Sequence, residues 1–335
     1  MSTMFFIFAL VALLCWSGSD LFSKKGTDET DKNSHWKVVF AVGLIMGIHF
    51  IITLIGGAII NANGGEESVP KFVASLFYTD FKIMDFVYYL PVAALYIFAM
   101  VLGYIGLRYI ELSISSPICN CSGSVALLLC VIFFPIIGAD PVSMDAFSII
   151  GVILITLGIV GLGFVDSKEN QELKELRRQE SNRKYAKSFL ALLLPIAYLI
   201  IDALGTFSDE IFFFITENNG LIISDYAANS AFELTFFVLA IFAFIWIKLV
   251  KKDKLFARRN GSLYVGGACE TLGQVFYMAV VFSDYPQFLP IISAYCVLSV
   301  VWSRIFLKEK LSLLHYLTIA ITFVGIILLG IFSPV

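Results

Sequence analysis

The chain has 335 residues, of which 59% are hydrophobic and 15% charged, and its mean hydropathy is +0.88. An ordinary soluble domain carries about 25% charged residues, so there is too little polar surface here for the soluble domains that the length alone suggests. An aromatic content of 15% excludes a disordered chain, and a net charge of −3 gives no global field for nucleic acid.

What remains is an all-α polytopic membrane protein, whose first partner is the lipid bilayer. A helix needs about 20 apolar residues to cross about 30 Å of hydrocarbon. Ten spans are expected, at roughly 3–22, 37–60, 87–107, 113–134, 146–165, 188–214, 226–247, 261–283, 286–304 and 312–333. These runs are apolar all round, whereas barrel strands alternate apolar and polar over about 10 residues. The first run has no basic n-region and no small-residue cleavage site, so it reads as a span and not as a signal peptide.

Span 1 carries Trp16 and Asp20. Asp20 either faces a solute or pairs with Lys24 one turn on. Span 2 carries His49, read as a satisfied interior histidine. Arg108 and Glu111, at the inner end of span 3, form a local ion pair or gate the cytoplasmic mouth. Span 4 has a polar end built from Ser115, Ser116, Asn120, Ser122 and Ser124, which binds a solute or joins helices. After span 5, residues 166–187 interleave opposite charges, as in Glu172, Lys174, Glu175 and Arg178, and read as a cytoplasmic helical linker.

Span 6 sets Tyr198, Asp202 and Thr206 on one face at i, i+4 and i+8. A carboxylate beside an aromatic ring suits a protonated or quaternary amine. Span 7 carries Glu233, which bonds His49 or faces a solute. Span 8 carries Glu270 within GGACETLGQVFY, where Gly266, Gly267 and Gly273 are expected to leave room around it and Gln274 follows one turn later. A carboxylate at a helix centre costs roughly 2.5–3.5 kcal/mol on insertion, while a Leu returns about 0.5. Each of these acids therefore calls for a reason. Trp36, Tyr88, Tyr89, Trp246 and Tyr316 fall near span ends and read as interface anchors. The six cysteines lie in apolar runs and read as small buried hydrophobes. Cys119 and Cys121 have no histidine nearby, so no metal site and no cofactor are expected.

With ten spans, 21 of the 23 Lys and Arg fall in the loops after spans 1, 3, 5, 7 and 9, and only Lys71 and Lys82 in the others. Basic residues stay in the cytoplasm, which puts both termini outside. The linker divides the chain into 1–165 and 188–335, with five spans each. Trp16 aligns with Tyr198 and Asp20 with Asp202 at one offset. The segment 151–158 aligns with 318–325, and Pro117 and Pro290 each stand near the start of a fourth span. A duplicated unit with an odd number of spans inserts in opposite senses, which gives an inverted repeat.

The stretch PIISAYCVLSVVWSRIFLKEKLSLLHYLTIAITFVGIILLG (290–330) resembles the drug/metabolite transporter superfamily, in particular its EamA-like family. Glu309 and Ser312 stand where that family has a short L-x-E-x-L-S loop. Trp16-Ser17-Gly18-Ser19 followed by Lys24-Lys25 resembles its W-G-S and lysine pattern, with Ser17 displacing the glycine. The first half departs from it, since 135–143 has no loop glutamate. The resemblance implies two five-helix repeats, alternating access and a central cavity between spans 1, 3, 4, 6, 8 and 9.

The function expected is secondary transport of a small polar or cationic solute in the plasma membrane, as proton-coupled antiport or as exchange. Glu270, Asp202, Asp20, Tyr198, Trp16, Asn120 and Gln274 are the expected binding or coupling residues. No P-loop is present for ATP-driven transport and no repeated filter loop for a channel. An enzyme is not expected, since His35, His49 and His315 stand apart from acidic motifs in the sequence. A channel-like protein or membrane scaffold is the alternative.

Overall fold

The computed structural model describes residues 2–28, 30–139, 146–168, 189–221, 223–256, 260–281, 292 and 295–332. Pro290, Arg258, Arg259 and the charged linker from residue 169 onward lie outside them. The described residues are mostly helical, with no strand among them.

The helices are α1 (Ser2–Gly26), α2 (Ser34–Ala62), the short α3 (Lys71–Phe77), α4 (Ile83–Gly106), α5 (Leu112–Cys119), α6 (Ser122–Ile137) and α7 (Ala146–Lys168). They continue with α8 (Leu193–Asn218), α9 (Asp225–Ile245), α10 (Gly261–Val281), α11 (Tyr295–Trp302) and α12 (Leu313–Phe332). Five stretches are long and apolar enough to cross a membrane: Thr3–Gly26, Ser34–Ala62, Ile83–Gly106, Leu112–Ile137 and Asp225–Val250. That fits an integral membrane protein.

Local chemistry sets the helix ends. Ser224 caps α9 by accepting from the Ala227 N–H at 3.1 Å, with Asp225 in the first turn to meet the positive end of the helix dipole. At the start of α4 the Asp85 carboxylate accepts the Lys82 N–H at 2.7 Å. α6 stops at Gly138, whose φ of +81° is open to glycine at little cost. The expected fourth span is not one rod. Pro117 removes one backbone donor, and at Asn120 and Cys121 ψ falls to −5° and −1°, so the span divides into α5 and α6.

α9 and α11 both end in one turn of π-helix, Trp246–Val250 and Ser303–Leu307. Each is followed by a lysine in the left-handed region, Lys252 at φ 53° and Lys308 at φ 56°. The next residue then donates its N–H back to the last turn, Asp253 to Ile247 and Glu309 to Ser303. The chain thus leaves both helices the same way and projects an acid each time. Asp253 meets the buried Lys37 at 2.5 Å, and Asp31 holds the same ammonium at 2.7 Å.

Helix pairing is orderly. α1 packs along α10, and α4 along α8. α2 packs along α9 and α10, while α9 also meets α4. α5 and α6 lie against α8, α11 lies against α1 and α5, and α7 pairs with α12. Glycines permit these approaches. Gly273 lies under the Trp16 ring and Gly103 under the Tyr198 ring. Gly266 faces Ser23, Gly205 faces Tyr96, Gly158 faces Thr322 and Gly325 faces Ile155.

The expected loop between spans 2 and 3 is partly structured. α3 packs on α2 and α10, its last residue Phe77 lying on Gly56 of α2 and Thr79 just after it on Gly57. Ser230 of α9 donates to Thr79 Oγ1 at 2.8 Å, and Tyr226 donates to Glu66 at 3.0 Å.

Candidate functional site

A cavity partly open to solvent lies among α1, α4, α5, α8, α10 and α11. α1 contributes four residues to it, Trp16, Ser19, Asp20 and Ser23, spaced so that one helical face carries them all. Tyr198 enters from α8, Glu270 from α10 and Tyr295 from α11. α4 adds Met100, Gly103 and Tyr104, and α5 adds Ser115, Ser116 and Cys119. Four of the residues singled out in the sequence, Trp16, Asp20, Tyr198 and Glu270, therefore meet in one place.

The two acids are held differently. Asp20 accepts hydroxyl hydrogen bonds from Ser116 of α5 and Ser299 of α11, each at 2.6 Å. Glu270 has Ser19 as its hydroxyl neighbour. Trp16 and Tyr295 stack edgewise with centroids 5.7 Å apart, and Trp16 also meets Tyr277 at 5.1 Å. The lining thus joins two carboxyls to four aromatic rings, a combination that attracts an organic cation by charge and by the ring quadrupole. No Lys, Arg or His is among the lining residues.

Lys24 does not line this cavity. It is fully buried one turn beyond Asp20, where its ammonium donates to the Leu107 carbonyl at 2.6 Å and to the Ile110 carbonyl. These carbonyls lie just past the C-terminal end of α4, in its connection to α5, where a cation meets the negative pole of the helix. Glu309 does the converse for α5. It accepts the Leu112 and Ser113 N–H groups at 3.0 Å each and the Ser113 hydroxyl at 2.8 Å.

The other expected residues are elsewhere. Asp202 stands outside this lining and accepts from Ser122 Oγ at 2.6 Å, so each of the paired aspartates takes a serine from the other half of the chain. Thr206 donates to the Asp202 backbone carbonyl at 3.2 Å. Asn120 lies at the break between α5 and α6. Gln274 donates to Asn229 at 3.1 Å. Arg108 and Glu111 are buried at the α4–α5 connection, with Arg108 near the Lys32 carbonyl at 3.5 Å and its guanidinium over the Tyr109 ring at 4.9 Å.

Glu233 and His49 meet at 2.8 Å, as one of the two sequence readings has it. Asn229 donates to the same Glu233 oxygen at 3.4 Å, and the other imidazole nitrogen of His49 lies 3.3 Å from the Leu76 carbonyl of α3. Two expectations need correction. The glycines around Glu270 do not open space, since Gly273 is filled by Trp16, Gly266 by Ser23 and Gly267 by the Ala41 backbone. Tyr89 is not an interface anchor but is buried, donating to Asp209 at 2.9 Å.

Tyr104, Tyr295, Ser19 and Ser23 were not singled out by the sequence, because a tyrosine or serine in an apolar helix carries no anomaly by itself. The i, i+3, i+4, i+7 spacing of Trp16, Ser19, Asp20 and Ser23 is the signal that could have found two of them. No protein-family model matches the chain, and no curated protein matches it.

Proposed function

We propose that the chain is a secondary carrier, similar to the EamA-like transporters, that moves a small polar or cationic solute by alternating access. The single observation that carries this reading is the convergence of Asp20, Glu270, Trp16 and Tyr198, two from each half of the chain, on one cavity. Intramembrane carboxyls in a polar cavity are costly, and transport sites are where that cost is commonly met.

Ten spans in two inverted repeats, 1–165 and 188–335, complete the reading. Its support is the pattern of helix pairs. Exchanging the first-half helices for their counterparts turns α1–α10 into α8–α4, α2–α10 into α9–α4 and α1–α11 into α8 with α5 and α6. The pairs α2–α9, α7–α12 and α5–α11 map onto themselves. Residue contacts follow the same exchange. Trp16 over Gly273 corresponds to Tyr198 over Gly103, Ser23 against Gly266 to Gly205 against Tyr96, and Gly158 against Thr322 to Gly325 against Ile155. Such reciprocity is the mark of a two-fold axis, and an in-plane axis belongs to carriers built from inverted repeats. The 21-to-2 partition of basic residues supports cytoplasmic loops after spans 1, 3, 5, 7 and 9, with extracytoplasmic termini.

Coupling follows from competition. A carboxyl that binds either a proton or a cation, but not both, exchanges one for the other with no further device. The purified protein in liposomes should show saturable counterflow that responds to an imposed pH gradient. Glu270→Gln keeps the shape and removes the titratable group, so gradient-driven uptake should be lost. Wild-type uptake and pH response in that variant would refute the coupling role, and the absence of saturable counterflow would refute the carrier.

A further inference from the structure

Burial around the cavity changes steadily from one end to the other. On α1, Trp16 and Asp20 are half-buried, while Ser23 is 1% exposed and Lys24, just beyond the lining, 0%. On α4, Met100 and Gly103 are half-buried, while Tyr104 and Leu107 at its end are buried. On α5, Leu112, Ser115 and Ser116 are buried and Cys119 is half-buried. The cavity is therefore shut where α4 turns into α5, with Leu107 and Leu112 as its floor, and its opening lies towards the other end. That floor is fastened by charge. The Lys24 ammonium donates to the carbonyls of Leu107 and Ile110, and the Glu309 carboxylate accepts the amides of Leu112 and Ser113. Such charge-assisted hydrogen bonds are roughly twice as strong as neutral ones. Both sets join parts that pack with different partners. α1 lies along α10 and α4 along α8, so Lys24 ties one helix pair to the other. Glu309 follows α11 in the second half of the chain, and α5 belongs to the first.

Neither residue has a charged counterpart in the other repeat. The register that aligns Asp20 with Asp202 aligns Lys24 with Thr206, whose hydroxyl bonds within its own helix to the Asp202 carbonyl. The register that aligns 151–158 with 318–325 sets Glu309 against residue 142, and 135–143 contain no glutamate. Resting on the reading of the chain as a carrier built from inverted repeats, we infer that Lys24 and Glu309 form a one-sided latch on the α4–α5 corner, which holds the cytoplasmic mouth shut and makes the outward-facing carrier the resting state. Alternating access opens the two mouths in turn by rocking one bundle against the other. Two equivalent halves would open them equally often, and a latch at one mouth alone breaks that balance. Its bonds are lost only when the corner moves away from α1 and from the turn between α11 and α12. Solute therefore meets an open cavity from outside, and the cytoplasmic opening is transient.

Cys119 lines the cavity and reports which mouth is open. A charged, membrane-impermeant methanethiosulfonate is applied to intact cells and to inverted membrane vesicles carrying the full chain, and modification of Cys119 is followed by peptide mass spectrometry. The wild type should be modified at least about tenfold faster from outside, in proportion to the populations of the two states. Lys24→Met removes the ammonium and keeps the length of the side chain. Glu309→Gln removes the charge and one acceptor oxygen. Each should speed modification from the cytoplasmic face and shrink the outside-to-inside ratio at least about threefold, and if one variant does not fold the other decides. The ratio separates a latch from a merely structural role, because a loosened fold exposes Cys119 to both faces alike. Faster modification of the wild type from the cytoplasmic face, a ratio that neither variant alters, or an equal rise on both faces overturns the inference while the carrier reading stands. Cys119 modified from neither face in the wild type and both variants, although it reacts once the chain is unfolded, overturns the carrier reading itself.

Discussion

Glu309 offers the sharpest test of how the fold is held. Its carboxylate, 1% exposed, accepts two backbone N–H groups and one hydroxyl at the first turn of α5. Glu309→Ala removes both acceptor oxygens, and with them all three hydrogen bonds, and leaves the Leu112 and Ser113 amides buried. Each unpaired buried donor costs about 1–3 kcal/mol, and the lost interaction with the helix dipole adds about 0.3–1 kcal/mol. The loss is therefore about 2–7 kcal/mol, a large share of the stability of an ordinary domain. Glu309→Gln keeps one acceptor oxygen at the same reach and should lose about half as much. The assay is thermal unfolding of the purified protein in detergent with a thiol-reactive dye, for which the buried Cys121, Cys130 and Cys296 are the reporters. The expected order of melting temperature is wild type, then Gln, then Ala. An Ala variant that melts with the wild type, or a Gln variant that melts below Ala, would refute the reasoning.

Gly273→Ala places a methyl group inside the Trp16 ring and should displace that ring from the cavity, so solute-induced thermal stabilisation should fall at least tenfold in potency while the unliganded protein still elutes as one species. His49→Ala leaves Glu233 buried without its partner and should cost about 3–5 kcal/mol, whereas pairing it with Glu233→Gln should recover part of that loss; a double-mutant cycle on melting temperature that shows simple additivity would sink the pairing. Lys308→Gly relieves a left-handed residue and should be neutral or stabilising, while Lys308→Val should lower the melting temperature, because a branched side chain is strained at φ 56°.

What was legible in the sequence was whatever violates the expectation for an apolar helix. Asp20, Asp202, Glu233 and Glu270 stand out because a charge among some twenty apolar residues is expensive, and each is indeed bonded or lines the cavity. The Trp16–Tyr198 register was legible because two rings at one offset are uncommon. Ser299 and Tyr295 were not, since their role depends on α11 meeting α1 across some 280 residues of chain, and no local pattern encodes that contact. The glycines near Glu270 were misread for a related reason. A missing side chain signals close approach, but only the tertiary structure says whether a solute or a neighbouring helix makes it. Tyr89 looked like an anchor because it is near a helix end, yet Asp209, itself passed over in the sequence, draws its hydroxyl inward. The π-turns closing α9 and α11 leave no composition signal beyond a lysine followed by an acid.

The α4–α5 connection is gripped through its backbone. Lys24 holds the carbonyls of Leu107 and Ile110, and Glu309 holds the amides of Leu112 and Ser113. Both gripping residues come from distant parts of the chain, and neither of these contacts reads the side chains of Leu107, Ile110 or Leu112. A saturation library across this region should therefore divide unevenly. Many apolar replacements between 107 and 112 should survive selection, while Lys24 and Glu309 should tolerate almost none. The constraint on this corner of the protein is written in positions some 85 residues before it and 200 residues after it.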